Sequence, residues 1–204
     1  MRTKHKGLAS KKANHEYYSK SDGNFMPLEQ SLKAHQVLDR VAWVREHIYK
    51  LGSKFHLDVG TKDGYLPLTL SAEGVECIGV DPSVDAIEAA RSKAEQANID
   101  VTYVTGLLED INENYVFETV SMLEVLEHVV DPDLVIQKLL RLGNYIFIST
   151  PDYEGRHGWE DSKQNDEHLR IYKKEELEEL VSKYGKIIES TTRDDQLCIL
   201  FCRQ

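Results

Sequence analysis

The chain has 204 residues, 41% hydrophobic, 29% charged and 8% aromatic, with five prolines. That is enough apolar material for the core of one globular domain, and it excludes a disordered chain or a fibrous repeat. The net charge of −10 is uneven: Arg2, Lys4, Lys6, Lys11 and Lys12 precede the first acidic residue, Glu16, leaving 20 basic against 35 acidic side chains, a charge of −15, on the rest. Such a body repels nucleic acid over most of its surface, so nucleic acid is disfavoured as a partner though not excluded, and a small molecule is the easier substrate.

The basic start runs into Ala13–Phe25, ANHEYYSKSDGNF, which lacks the apolar stretch of a secretory leader. No run approaches the ~18 apolar residues of a membrane span. Cys77, Cys198 and Cys202 are odd in number, lack metal-type spacing and fall in apolar segments, the pattern of buried thiols in a reducing, cytoplasmic compartment. Residues 1–27 read as a basic, polar arm and 28–204 as a single domain. The oligomeric state is not encoded in any pattern.

In chain order, Leu28, Leu32, Leu38, Val41, Ala42, Ile48 and Leu51 form a helical stripe ending at Gly52, which predicts one long amphipathic helix. Lys54–Val59 is a short strand, followed by the turn Gly60-Thr61-Lys62-Asp63-Gly64 and a helix over Tyr65–Ala72. Val75–Val80 is a second strand, continuous rather than alternating, as expected when both faces are covered. Asp81-Pro82-Ser83 then starts an alanine-rich helix, Val84–Ala97. Strands follow at Val101–Val104 and Glu118–Met122. The next helix has marked ends: Asp131 as cap, Pro132 at its first position and Gly143 just beyond it. Asn144–Ser149 is a buried strand, Pro151–Arg170 a polar loop, and Lys173–Tyr184 a helix. Strands Lys186–Thr191 and Leu197–Arg203 close the chain without a helix between them, so the last should run antiparallel. The alternation predicts a doubly wound α/β fold, a mostly parallel seven-stranded sheet with helices on both faces.

In such a sheet the ligand sits beyond the carboxyl ends of the strands, and the first strand–turn–helix approaches it most closely. A dinucleotide fingerprint would need glycines at 60, 62 and 65, where the chain has Gly60, Lys62 and Tyr65, and no Lys-Ser or Lys-Thr follows the turn as a P-loop requires. Over about residues 55–202 the sequence instead resembles the class I S-adenosylmethionine-dependent methyltransferases. Leu57-Asp58-Val59-Gly60-x-x-x-Gly64 matches their first motif, with Lys62 where the middle glycine is usual, and Asp81 matches the acidic residue that takes both ribose hydroxyls. The resemblance implies S-adenosylmethionine as cofactor, bound by Asp58, Gly60, Gly64, Asp81, Leu108, Glu109 and Leu123, with the Thr105–Asp110 segment where the family contacts adenine, through backbone or Glu109. Leu107 departs from the aspartate often found in that third motif.

The Asn/Asp-Pro-Pro-aromatic motif of amine-methylating nucleic-acid enzymes is absent after the fourth strand. The segment there, Met122-Leu123-Glu124-Val125-Leu126-Glu127-His128-Val129, spaces Glu124, Glu127 and His128 so that one helical turn would put all three on one face. Such a set suits Mg²⁺, Mn²⁺ or Zn²⁺, or lets His128 deprotonate a hydroxyl. The alternative is a solvated lead-in to the Asp131 helix. Glu-x-x-Glu-His resembles the signature of the ubiquinone-pathway O-methyltransferases and of Hen1-type enzymes that methylate the terminal 2′-hydroxyl of small RNAs. That resemblance implies metal ligands at Glu124, Glu127 and His128, with His168 as a downstream addition, and catalytic roles for His128 and Glu127.

The loop after the fifth strand offers Tyr153, Arg156, His157 and Trp159 as substrate contacts. Tyr17, Tyr18, Phe25 and Met26 resemble an arm that folds over the cofactor. The resulting expectation is an O-methyltransferase acting on a small phenol, quinone-like molecule or sugar. An RNA-terminal 2′-O-methyltransferase and a non-catalytic binding subunit of the same fold are the alternatives.

Overall fold

The computed structural model describes residues 23–155 and 168–204. Seven strands, β1 (Phe55–Val59), β2 (Glu76–Asp81), β3 (Thr102–Thr105), β4 (Phe117–Leu123), β5 (Gly143–Pro151), β6 (Gly185–Arg193) and β7 (Gln196–Arg203), form one sheet in the order β3-β2-β1-β4-β5-β7-β6. Pairing is parallel from β3 through β5, and β7 runs antiparallel to both β5 and β6. Six strands therefore share one direction and the last is reversed, as its helix-free connection predicts. The β6–β7 hairpin turns on Asp194 and Asp195, both with positive φ of 47° and 61°, the conformation that a tight two-residue turn demands.

The sheet is covered on both faces, which is why Tyr145–Ile148 of β5 and Leu197–Cys202 of β7 are unbroken apolar runs. Along β7, Leu197, Ile199 and Phe201 enter one core with helices α6 (Pro132–Leu142) and α7 (Lys174–Ser182), while Cys198 and Leu200 enter the other with Val41, Val44 and Ile48 of α3 (Asp39–Leu51) and Leu66 and Leu70 of α4 (Tyr65–Ser71). A third cluster joins Leu68 of α4 to Ile87, Ala90 and Ala94 of α5 (Val84–Ala97). Asp131 caps α6 by accepting from the Leu134 amide at 3.1 Å, and Pro132 occupies its first position. Asp133 takes the Tyr184 hydroxyl at 2.7 Å.

The single long helix expected from Leu28 to Leu51 is instead three pieces: α1 (Leu28–Leu32), α2 (Ala34–Val37) and α3, separated at Lys33 and at an extended Leu38. The apolar stripe is divided between two pockets. Leu28 and Leu32 pack against the Leu68–Ile87–Tyr103 cluster, whereas Val41, Val44 and Ile48 pack against Phe147 and Leu200. Side-chain bonds from Thr69 Oγ1 to the Ser31 carbonyl (2.8 Å) and from Lys93 Nζ to Ser31 Oγ (3.0 Å) hold α1 in its own direction. Trp43, 2% exposed, anchors α3: its indole donates to Glu189 Oε1 at 2.7 Å, and its ring meets Phe147 edge-on at 5.4 Å. Cys77 and Cys198 are buried thiols, pushed up to about 12 by burial, whereas Cys202 is only half-buried. No helix among the described residues is long and apolar enough to cross a membrane.

One buried ion pair ties these layers together. Lys93 Nζ of α5 lies 2.5 Å from Asp63 Oδ2 and 3.2 Å from the Asp63 carbonyl, and the same Oδ2 accepts the Met26 amide at 2.6 Å. Lys93→Met leaves that carboxylate buried without its cation and is expected to lower the unfolding free energy by about 3–5 kcal/mol, read from urea denaturation. Combining it with Asp63→Asn should recover part of the loss.

Candidate functional site

Strand order reverses between β1 and β4, opening a crevice beyond their carboxyl ends. The turn leaving β1 and the segment leaving β4 meet there. Gly60 has φ 75°, and a Cβ on it would lie 2.3 Å from Val125 Cγ2; Gly64 has φ 76°, and a Cβ on it would lie 2.5 Å from the Tyr103 hydroxyl. Both positions therefore need glycine for backbone shape and for room. Lys62, where the middle glycine was expected, adopts φ 50° itself. Its amide donates to Asp81 Oδ2 at 2.8 Å, which helps offset the cost of a left-handed lysine.

Asp81, ending β2, is pinned through both oxygens, since Oδ1 accepts the Ser83 amide at 2.9 Å. Its carbonyl accepts from Gly106 at 3.0 Å, which brings the third motif alongside. There Leu108 is buried at the start of a 3-10 turn, Glu109 is exposed, and Asp110 rather than Glu109 accepts the Leu107 amide at 3.0 Å. Leu123, ending β4, is buried against the Phe147 core.

Asp58, ending the same face of β1 as His56, is buried and takes a 2.5 Å hydrogen bond from Ser121 Oγ on β4. His56 Nε2 is 2.9 Å from Ser121 Oγ and Nδ1 is 2.9 Å from Thr119 Oγ1, which in turn lies 2.9 Å from Ser53 Oγ. Because the Ser121 proton faces Asp58, its oxygen accepts from the His56 Nε2–H, and Nδ1 accepts from Thr119. Burial keeps this imidazole neutral, down to about 3. The sequence carried the signal in its two-residue period: His56 and Asp58 on β1 stand opposite Thr119 and Ser121 on β4.

The segment after β4 departs from the expected helical face. Glu124 has φ 57°, its amide donates to the Ser149 carbonyl at 3.0 Å, and its Oε1 accepts from Ser149 Oγ at 2.6 Å. A 3-10 turn, Leu126–His128, begins only after it. The left-handed backbone commits Glu124 to β5, and among the described residues the group able to hold a metal ion is Glu127, His128 and His168, with one candidate ligand atom from each all within 4.8 Å of one another. Glu124 stands outside that group. The solvated lead-in is also excluded, because Glu127 is 1% exposed. Thr150 Oγ1 donates to Glu127 Oε2 at 2.9 Å, while Oε1 lies 3.8 Å from His128 Nε2, and the two imidazole rings are 4.8 Å apart.

Tyr153 donates its amide to the Tyr172 carbonyl at 2.9 Å, and Lys173 Nζ lies 5.1 Å from its ring centre. Arg156, His157, Trp159, Tyr17 and Tyr18 lie outside the described residues. Met26 reaches the glycine turn through Asp63, as noted above. Three polar residues at the site carried no sequence signal: Thr150, Arg170, and Arg40, a mostly buried guanidinium that acts on Tyr65 and Glu124.

A family model described as methyltransferase domain matches residues 35–189. The chain is 30% identical over 134 residues to the ubiquinone biosynthesis O-methyltransferase of Erwinia tasmaniensis, covering 63% of this chain and 53% of that protein. For the enzyme of the same name from Vibrio cholerae the identity is 34%, with the same coverage. The chain thus spans about half the length of the curated relatives it matches. Among solved structures, magnesium protoporphyrin IX methyltransferase from Synechocystis with bound SAH aligns with a TM-score of 0.70 at 17% identity, covering 97% of this chain and 96% of that one.

Burial dominates the electrostatics of the crevice. It pushes Asp58 up to about 6 against the opposing Ser121 hydrogen bond. Glu124 and Glu127 are raised as well, first by burial, and for Glu124 also by repulsion from Glu127, with the Arg40 charge pulling the other way. A carboxyl raised on folding stabilises fully below its ordinary range near 4, and that contribution is lost as pH rises through the folded value. The urea midpoint of ligand-free protein is therefore expected to fall between about pH 5 and about pH 7.5, with Asp58→Asn flattening the slope.

Proposed function

The chain belongs to the methyltransferase-domain family, and from that premise we propose that it transfers a methyl group from S-adenosylmethionine to a hydroxyl of a small phenolic, quinone-like or sugar substrate in the cytoplasm. One observation carries this reading: Gly60 of the first motif lies against Val125, so the turn that would receive the cofactor and the segment bearing Glu127 and His128 share one crevice. The relatives named for ubiquinone biosynthesis support a hydroxyl acceptor.

The residues present fit the cofactor. Each Asp81 oxygen accepts one amide and keeps a lone pair, the arrangement that two adjacent ribose hydroxyls require. Asp58 would offer a carboxylate to an ammonium group, the Gly60–Gly64 turn would lie along the methionine chain, and Leu108, Glu109 and Leu123 are the further residues we assign to the cofactor. Bound there, S-adenosylmethionine would supply the methyl group, its C–S bond breaking as the acceptor hydroxyl oxygen forms the new C–O bond.

His128 accepts the hydroxyl proton when no ion is present, with Glu127, fixed by Thr150, stabilising the imidazolium. The set Glu127, His128 and His168 also fits a divalent ion, which would supply Lewis acidity and lower the substrate hydroxyl's pKa. Two imidazoles with one carboxylate suit Mn²⁺ or Zn²⁺ better than Mg²⁺. The closeness of His168 to Glu127 and His128 also favours a second reading, an RNA-terminal 2′-O-methyltransferase; the charge of −15 outside the basic arm weighs against it.

Calorimetric titration tests the cofactor. Asp81→Ala is expected to weaken S-adenosylmethionine binding by about 1.5–3 kcal/mol, roughly 10- to 150-fold, and absence of binding to the wild type would refute the reading. Methyl transfer to phenols, sugars and short RNAs, with and without EDTA, then decides acceptor and metal. Loss of activity both on chelation and in Glu127→Gln is the expected result, and activity that survives both treatments excludes the ion.

A further inference from the structure

His168 lies 40 positions beyond His128 in the sequence, on a segment outside the main sheet whose next residues carry only an isolated bridge, Tyr172 to Asp152. Sheet register therefore does not place it. Backbone bonds from the amides of Leu169 (2.9 Å) and Arg170 (3.3 Å) converge on the Glu127 carbonyl. The Arg170 side chain, 6% exposed, then reaches past His128: Nη1 donates to the Val129 carbonyl and Nη2 to the Val130 carbonyl at 2.9 Å. Four hydrogen bonds thus fasten the strip bearing His168 to the strip bearing Glu127 and His128.

We propose that Arg170 is a positioning residue for the Glu127–His128–His168 group, a two-pronged latch that seats His168 against the other two. The inference rests on reading that group as a divalent-metal site. A planar guanidinium meets two successive carbonyl oxygens at once in fixed geometry, whereas the ammonium of lysine is a point donor that cannot hold both in the same way. Without the guanidinium, the two amide bonds to the Glu127 carbonyl are the backbone link between this strip and the Glu127–His128 strip, which lets the His168 end shift, and an imidazole displaced by about 1 Å is no longer a ligand in the intended set. Arg170 bonds none of the residues of the Gly60 turn, Asp58 or Asp81, so the cofactor side should not feel its loss.

The test measures two affinities on the full chain: Mn²⁺, from the free-ion paramagnetic resonance signal, and S-adenosylmethionine, by calorimetry. Arg170→Lys and Arg170→Met are each expected to weaken Mn²⁺ binding by about 10- to 100-fold, the usual effect of removing a group that orients a metal ligand, with cofactor affinity within about twofold of wild type and the lysine variant the milder. His168→Ala sets the scale for loss of the ligand itself. Variants that hold Mn²⁺ as tightly as wild type while His168→Ala does not would overturn this inference alone. Parallel loss of Mn²⁺ and cofactor binding in the lysine variant would also overturn it, showing a general structural role. Wild-type protein that takes up no Mn²⁺ would overturn the metal-site reading, and the inference with it.

Discussion

The ion pair between Asp63 and Lys93 fixes the turn on which the crevice depends. Taking both charges out of water is costly, and the structure offsets that cost by surrounding them with further donors and acceptors: the Met26 amide, the Asp63 carbonyl and Ser31 Oγ. The turn after β1, helix α5 and the segment leading into α1 consequently meet at one point. Lys62 precedes Asp63 in that turn, and its amide reaches Asp81 across the end of β2. The shape of the cofactor side thus follows from a contact lying behind it.

A second buried polar system runs across the neighbouring strands. Ser53, Thr119, His56, Ser121 and Asp58 form a chain of hydrogen bonds through the middle of the sheet, with each donor direction set by the next member. Asp58 ends this chain as a carboxyl starved of water, and Glu124 and Glu127 are in the same condition across the crevice. A site that holds three such groups discourages their ionisation until a cation arrives. The sulfonium and ammonium of a methyl donor, or a divalent ion, are the cations this chemistry would reward, and binding of either would then be coupled to proton release.

Much of the fold was legible because its signals are local. Asp131-Pro132 announced a helix start, the apolar runs announced strands covered on both sides, and the missing helix before β7 announced its reversal. The failures share a cause. The Leu28–Leu51 stripe has helical period throughout, yet its two ends serve different pockets, and the chain bends at Leu38 to reach both. Glu124 sits at helical spacing from Glu127 and His128, but a bond to Ser149 on β5 and a positive φ remove it from their face. Spacing gives the angle between side chains only where the backbone between them is regular.

Local chain chemistry accounts for what lies within a few residues: strand–turn–helix order, the glycines the first turn requires, the acid at the end of β2, and the adjacency of Glu127 and His128. Tertiary structure alone decided that Lys93 would neutralise Asp63, that Thr150 would fix Glu127, and that Arg170 would hold His168 beside His128. Those partners are separated by 20 to 40 residues. Backbone dihedrals fix relative position over one turn of helix or a pair of strand residues; beyond that, only the packing of the whole sheet and its helices selects which polar groups meet.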